Sequence, residues 1–339
     1  MTLQVGIMGA GAIGCYLGGK IASAGAAVVF VARGRFKEEL STHGIRVSSL
    51  DGSSARVEPS KIVVTSDPGA VSGCNVVLVA VKSADTASTG KLLAPILAPD
   101  TLVASMQNGL RNADELRAAL PGQPVLGGIV GFNVVPKGEG EMRQTTSGPL
   151  VLEATDHPRL YELAGAMRKS GLSLEVVRDI KGAQWSKLLM NLNNAVSALT
   201  GAPTPTLLFE PGYRRIVRGL IVEALGVMKA AGVEPTRLSG IPPKLFPALL
   251  RLPSPILRVV SRIQLKVDPE ARSSMHEDFV RGRLTEVDYL NGEIVALAKK
   301  TGVSAPLNAR VVELIHEAEK KSAGPPNLSA DALWRALTA

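Results

Sequence analysis

Short apolar runs punctuate the first half of the chain, and stretches with helical spacing fall between them. Val5–Met8, Ala27–Val31, Lys61–Thr65, Asn75–Val81, Thr101–Met106 and Val125–Val130 read as strands. The run at Asn75–Val81 is almost unbroken, the pattern of a strand buried on both faces. A small-residue helix follows Gly14, and Arg35–His43 (closed by Gly44), Ala87–Leu97 and Ala113–Leu120 read as further helices. Strands alternating with helices predict a parallel, doubly wound sheet. Ile45–Leu50 and Ala55–Glu58 flank Asp51-Gly52, which is hairpin chemistry. From Phe132 to Glu153 the pattern turns antiparallel, broken by Pro136, Gly138 and Gly140. A helix at Pro158–Ser170 and a strand at Leu172–Val177 close this part of the chain.

From Asp179 onward the pattern changes to helices. GAQWSKLLMNLNNAVSALTG is expected to form one long helix. The predicted fold class is therefore α/β: a doubly wound amino-terminal domain over residues 1–178, followed by an all-helical domain over 179–339. Gly324-Pro325-Pro326 sets off Ala330–Leu337, which is expected to dock loosely or fray.

The first strand runs directly into Gly9-Ala10-Gly11-Ala12-Ile13-Gly14, which fits GxGxxG with strand before, helix after and strand again. In that setting the first glycine permits a tight turn, the second lets a pyrophosphate approach the helix N-terminus, and the third lets helix and strand pack closely. Alone the motif also fits a merely structural turn; its βαβ context favours a dinucleotide site. The second strand ends in Val31-Ala32-Arg33, where an NAD site would carry an acid for the ribose 2′-hydroxyl. A cation there suits a 2′-phosphate, so Arg33 points to NADP(H); the competing reading is a solvated basic helix start. Lys82 and Asn108 stand at the carboxyl ends of two later strands, the edge where open α/β sheets bind ligands.

Composition narrows the classes. With 339 residues the chain is long enough for two cores, and its net charge is +8. Some of that charge lies in Lys244, Arg251, Arg258, Arg262, Lys266 and Arg272, facing only Asp268 and Glu270. Aromatic residues make up 4% of the chain, too few to stack bases along a basic groove, so a solvated basic face is expected and no nucleic-acid partner. No apolar run is long enough to span a bilayer and no signal-peptide pattern precedes the Gly-rich turn. Cys15 and Cys74, the only cysteines, read as small core residues. A cytoplasmic protein with no membrane partner is expected.

Lys187, Asn191 and Asn194 follow one another at i, i+4 and i+7, which puts them on one helical face. That face either lines a cleft as a structural polar strip or presents an acid–base lysine with amides to a ligand. SSMHEDFVRGRLTEVDYLNG holds a second polar cluster, with Ser274 and Asp278 on one face and Glu286 and Asp288 beyond. The two later carboxylates read equally as exposed salt-bridging residues. His276 is expected to be exposed, and His43, His157 and His316 are scattered. No metal-ligand spacing, no GxSxG and no catalytic cysteine context is present, so metal chemistry and nucleophilic hydrolysis find no support.

Taken together, GAGAIG, VAVK ending in Lys82, QNG around Asn108, WSKLLMN around Lys187 and SSMHED…TEVDYLNG resemble the ketopantoate reductase (2-dehydropantoate 2-reductase) family, in order and over nearly the whole chain. The resemblance implies a Rossmann-type domain that binds NADPH, a helical domain that closes over it, and a 2-keto acid in the cleft between them. It implies that Lys187 is the catalytic lysine and Glu286 its paired carboxylate and a substrate contact. Ser274 resembles the residue that binds the substrate carboxylate. Asn191 and Asn108 resemble polar contacts to substrate and nicotinamide, Lys82 a cationic contact beside them, and Gly9, Gly11, Gly14 and Arg33 the NADPH-binding positions.

The sequence departs from the family pattern twice. Where the family often has an asparagine eight residues beyond the lysine, this chain has Ala195, with Asn194 just before it. The segment Gly240–Val267 is longer and more apolar than a compact member needs, and would enlarge the helical domain or form a subunit contact, as in a homodimer. The expected activity is NADPH-dependent reduction of 2-dehydropantoate to (R)-pantoate, a step of pantothenate biosynthesis. Its rivals are reduction of another branched or aromatic 2-keto acid, and a non-catalytic NADP-binding sensor.

Overall fold

Strands form where the apolar runs place them. The computed structural model describes residues 3–238, 240–264, 268 and 271–339. Lys266, Glu270, the Arg262 side chain and the end of the 240–267 segment, named above, lie outside that description. Contacts divide the chain into two compact units, Met1–Ile180 and Lys181–Ala339.

In the first unit the strands are β1 (Gln4–Met8), β2 (Ala27–Val31), β3 (Ile45–Ser48), β4 (Ser54–Val57), β5 (Val63–Thr65), β6 (Val76–Val79), β7 (Leu102–Ser105), β8 (Val125–Val130), β9 (Val134–Gly138), β10 (Glu141–Gln144), β11 (Leu150–Glu153) and β12 (Leu174–Val177). The helices are α1 (Ala12–Ser23), α2 (Gly34–His43), α3 (Thr86–Leu93), α4 (Asn112–Ala119) and α5 (Pro158–Lys169). The main sheet has eight strands in the order β12-β11-β8-β7-β6-β1-β2-β5. It is parallel from β5 to β8, β11 joins β8 antiparallel, and β12 runs parallel to β11. The chain starts at β1, winds out through β2 to β5, then crosses back to β6 on the other side of β1. Strand order therefore reverses at β1, the switch point where such sheets bind ligands.

The antiparallel region divides between two sheets. Only β11 joins the main sheet; β9 and β10 form a hairpin that pairs with the β3–β4 hairpin in a second, four-stranded sheet of order β4-β3-β10-β9. This sheet packs on the outer side of α1, whose inner side rests on β1 and β2. The small residues of α1 answer that squeeze: a Cβ on Gly18 would strike the Phe30 ring, and one on Gly19 would lie 2.8 Å from Val47 Cγ1. Tyr16, fully buried, bonds to Ser49 Oγ at 3.0 Å and Gln144 Oε1 at 3.1 Å, tying both hairpins to the helix. Cys15 and Cys74 are buried, as expected.

The second unit is helical: α6 (Ile180–Asn191), α7 (Asn193–Thr200), α8 (Thr204–Phe209), α9 (Pro211–Ala230), α10 (Phe246–Leu249), α11 (Ser254–Gln264), α12 (Ser274–Val280), α13 (Asn291–Thr301), α14 (Pro306–Lys321) and α15 (Ala330–Thr338). Helix α9 packs against α7, α8, α10, α13, α14 and α15, burying Ile216, Leu220, Ala224 and Val227. Glu223 of α9 accepts from the Leu307 and Asn308 N–H groups at 2.9 and 2.8 Å, so a carboxylate caps the positive end of α14. The segment after Gly324 does not fray. Leu333 and Leu337 of α15 are buried, the Arg215 guanidinium lies 3.8 Å over the Trp334 ring, and Leu328 N–H donates to Leu199 O.

Candidate active site

At the switch point the register levels the strand ends. Met8 lies opposite Val31 and Val79, and Val79 opposite Ser105. Beyond the strands, Ala10 N–H still reaches Val31 O at 3.1 Å, Ala80 N–H reaches Met8 O at 2.8 Å, and Met106 N–H reaches Val79 O at 2.8 Å. The Gly-rich turn, Arg33, Lys82 and Asn108 thus leave a common edge.

Each motif glycine has its own physical reason. Gly9 has φ +96°, and a Cβ there would sit 2.7 Å from Val81 N. A Cβ on Gly14 would fall on the Gly9 carbonyl oxygen and 2.9 Å from Ile7 Cγ2. Gly11 is different: a Cβ there meets no protein atom within 4 Å. Its bareness answers no packing need of the chain, and the space above it is what an approaching pyrophosphate requires. Gly11 is also the N-cap of α1, which has no side-chain cap and no acid in its first turn, so the helix N–H groups stay available to an anion. Ala10 is buried and bonded to β2 through its N–H, and Ala12 and Ile13 are half-buried. The turn fits a dinucleotide.

Arg33 caps α2 from an extended conformation (φ −130°, ψ 156°) and is exposed. Arg35 pairs with Glu39 at 3.1 Å and Lys37 reaches Ser66 Oγ at 3.4 Å, whereas Arg33 has no ion-pair partner among the described residues.

Lys82 is exposed at the N-cap of a short 3-10 turn (Ser83–Asp85), and Asn108 is half-buried. A buried network that the sequence did not announce fixes both loops. Ser105 Oγ donates to Gln107 Oε1 at 3.0 Å, Gln107 Nε2 to Thr86 Oγ1 at 2.6 Å, and Thr86 Oγ1 to Asn112 Oδ1 at 2.7 Å. Asn112 Nδ2 donates to Ser83 Oγ at 3.2 Å and to the Asn108 carbonyl, which also accepts from Ser83 Oγ at 3.2 Å. The only sequence signal was an amide-rich QNGLRN; its closure onto Ser83 and Thr86 depends on β6 lying beside β7.

In the second unit, Lys187 and Asn191 stand one turn apart on α6, Lys187 half-buried and Asn191 buried. The helix is not continuous to Asn194, as the pattern predicted. It divides at Leu192 (φ −59°, ψ −23°), although Leu192 N–H still donates to Leu188 O at 3.1 Å, and Asn194 belongs to α7. Ala195 is fully buried in the core, while Asn194 is half-buried. Burial pushes the Lys187 ammonium down to about 8. No carboxylate offsets this: the ion pair expected with Glu286 is not formed, since Lys187 has no ion-pair partner among the described residues.

Ser274 opens α12, half-buried. Its neighbour Ser273 caps the helix, donates from Oγ to the Asn194 carbonyl at 2.9 Å, and accepts the His276 N–H at 3.2 Å. The structure thereby fastens the start of α12, where Ser274 stands, to the Asn194 backbone. His276, expected to be an exposed helix residue, is instead buried, on a helix that packs against α7. Glu286 is half-buried in the loop before α13, where its carbonyl accepts Tyr289 N–H at 3.0 Å. Among the described residues, no cluster of His, Cys, Asp and Glu could hold a metal ion.

The family pattern of ketopantoate reductase PanE/ApbA matches residues 5–157, and that of its C-terminal part matches residues 179–319. The chain belongs to the ketopantoate reductase family. It is 30% identical over 320 residues to the 2-dehydropantoate 2-reductase of Archaeoglobus fulgidus, covering 93% of this chain and 98% of that one. It is 34% identical to a PanE/ApbA family ketopantoate reductase from Ralstonia eutropha, whose crystal structure superposes with a TM-score of 0.79 over 94% of this chain and 99% of that one. A ternary structure of D-mandelate dehydrogenase with NADH and anilino(oxo)acetate has a TM-score of 0.74, covering 94% and 99%; at 20% identity this likeness shows the fold alone. The relatives support an oxidoreductase, and the family indicates a nicotinamide dinucleotide cofactor. No helix among the described residues is long and apolar enough to cross a membrane.

Proposed function

We propose that this chain reduces 2-dehydropantoate to (R)-pantoate with NADPH, with Lys187 as proton donor. The observation that carries the reading is a half-buried ammonium lowered to about 8 by desolvation, on the helix that the family pattern crosses, one turn from Asn191. A donor titrating near the working pH is charged enough to stabilise developing negative charge and acidic enough to release a proton.

The turn from Gly9 to Gly14 would hold the cofactor pyrophosphate, Arg33 the 2′-phosphate, and Lys82 with Asn108 the nicotinamide end. When bound, the reduced nicotinamide supplies the hydride. The chain's own residues do the rest. Lys187 offers its ammonium to the carbonyl oxygen as charge grows there, and gives it a proton. Ser274 donates to the substrate carboxylate, and Asn191 and Asn194 supply amides that fix its orientation. Glu286 accepts from a substrate hydroxyl; a move of its side chain toward Lys187 on binding would complete the pair that the family resemblance implies. Burial of Asn191 and Lys187 keeps water from competing for the same groups.

A second reading, reduction of another 2-keto acid, is favoured by Ala195: the amide that often stands there is replaced by a methyl group in the core. Rates of NADPH oxidation with 2-dehydropantoate and with branched and aromatic 2-keto acids separate the two. The proposal predicts the highest kcat/KM for 2-dehydropantoate; a higher value for another keto acid replaces the substrate assignment.

A further inference from the structure

Glu286 sits in a loop that is fastened on both sides of it. Before it, Thr285 N–H donates to Glu319 Oε1 of α14 at 2.8 Å. After it, Asp288 Oδ1 lies 3.1 Å from His316 Nε2, also of α14. The two fastenings are one device, because His316 Nδ1 lies 2.8 Å from Glu319 Oε2. Between them Val287 is fully buried, which seats the turn. An imidazole bridging two carboxylates thus spans the backbone that carries Glu286, with a well-buried end at Glu319 (side chain 8% exposed) and an open end at Asp288 (63%).

We propose that His316 is a positioning residue for Glu286: its two ring nitrogens strap the Glu286 loop to α14, and the strap is tightest when the ring is an imidazolium. This rests on the reading of Glu286 as a substrate contact. The chemistry follows from donor counting. Ionised carboxylates only accept, so an imidazolium donates to both, while a neutral ring has one N–H and turns a lone pair toward the other carboxylate. Burial lowers the basicity of His316, but the bonds to Glu319 and Asp288 outweigh it and the net shift is upward from 6.5. Of the elements packed on α14, which are α7, α9, α13, α15 and the turn at Val287–Tyr289, the turn supplies the opposing charge, Asp288; Glu319 comes from α14 itself. The other α14 acids near the ring in sequence, Glu313 and Glu317, are engaged with Arg310. With the folded pKa raised, the strap is complete below it and is lost as pH rises through it.

The test is KM for 2-dehydropantoate at saturating NADPH, followed from about pH 5.5 to 8.5, which brackets imidazole titration. In the parent, KM should rise roughly threefold across the His316 titration, the size of a partly exposed ion pair. His316→Gln should show the higher KM at every pH. His316→Arg, a cation throughout, should keep the low KM and lose the His316 step, retaining only any change due to Lys187 near 8, and it also guards against a folding defect in the glutamine variant. The parent's KM and pH profile persisting in His316→Gln overturns the strap. Glu286→Gln separates the two ideas. A raised KM there, beside an unaltered His316→Gln, removes the strap alone. An unchanged KM in Glu286→Gln removes the role of Glu286, and the strap's function with it.

Discussion

At the scale of single residues the proposed reaction rests on Lys187 and Arg33, and each role has a direct readout. Lys187 is lowered to about 8 by burial, so its ammonium, the proposed donor, is lost as pH rises through that value. The pH profile of kcat for reduction should therefore fall above about 8 with a single ionisation; a profile flat to pH 10 would remove Lys187 from proton transfer. Stability runs the other way: between about 8 and 10.5 the unfolded chain binds the extra proton, so this group's unfavourable contribution shrinks as pH rises. For Arg33→Ala, loss of charge-assisted bonds to a 2′-phosphate should weaken NADPH binding about tenfold and leave NADH binding unchanged, measured by fluorescence titration. Equal losses for both cofactors contradict the 2′-phosphate role. The position of Arg33 was legible because the specificity residue falls at a fixed place, the end of β2. The burial of His276 and the partners of His316 were not. Asp288 is 28 residues from His316, and nothing local in either sequence marks their meeting.

Elements explain why one glycine of the Gly-rich turn should behave unlike its neighbour. Gly14→Ala would set a methyl group against the Gly9 carbonyl and should lower stability by about 1–3 kcal/mol, whatever it does to binding. Gly11 has φ −83° and open space, so Gly11→Ala should leave the melting temperature nearly unchanged while weakening NADPH binding about tenfold or more. Loss of stability in Gly11→Ala would mean that the bare position serves the fold instead. The βαβ start, the alternation and the helical second half were readable because each depends on local periodicity. The second sheet was not, because Arg46 pairs with Glu141 through a parallel contact between two hairpins distant in sequence. That sheet also explains Gly19 of α1, which the motif alone left as mere composition. The divided helix at Leu192 escaped the same reading, since Leu192 keeps a helical conformation and an apolar side chain.

At the scale of the whole molecule the proposal draws on each unit in turn: a Gly-rich turn that fits a dinucleotide in Met1–Ile180, and in Lys181–Ala339 a half-buried ammonium with no ion-pair partner among the described residues. The family pattern crosses both. A protein that only sensed NADP(H) would need the first and have no use for the second. The direct measurement is NADPH oxidation on addition of 2-dehydropantoate, in the parent and in Lys187→Ala, with NADPH affinity measured on both. The account predicts turnover in the parent, a loss of about 100-fold or more in the variant, and the same NADPH affinity in each. Turnover undiminished in Lys187→Ala, or none in the parent despite tight NADPH binding, would contradict it.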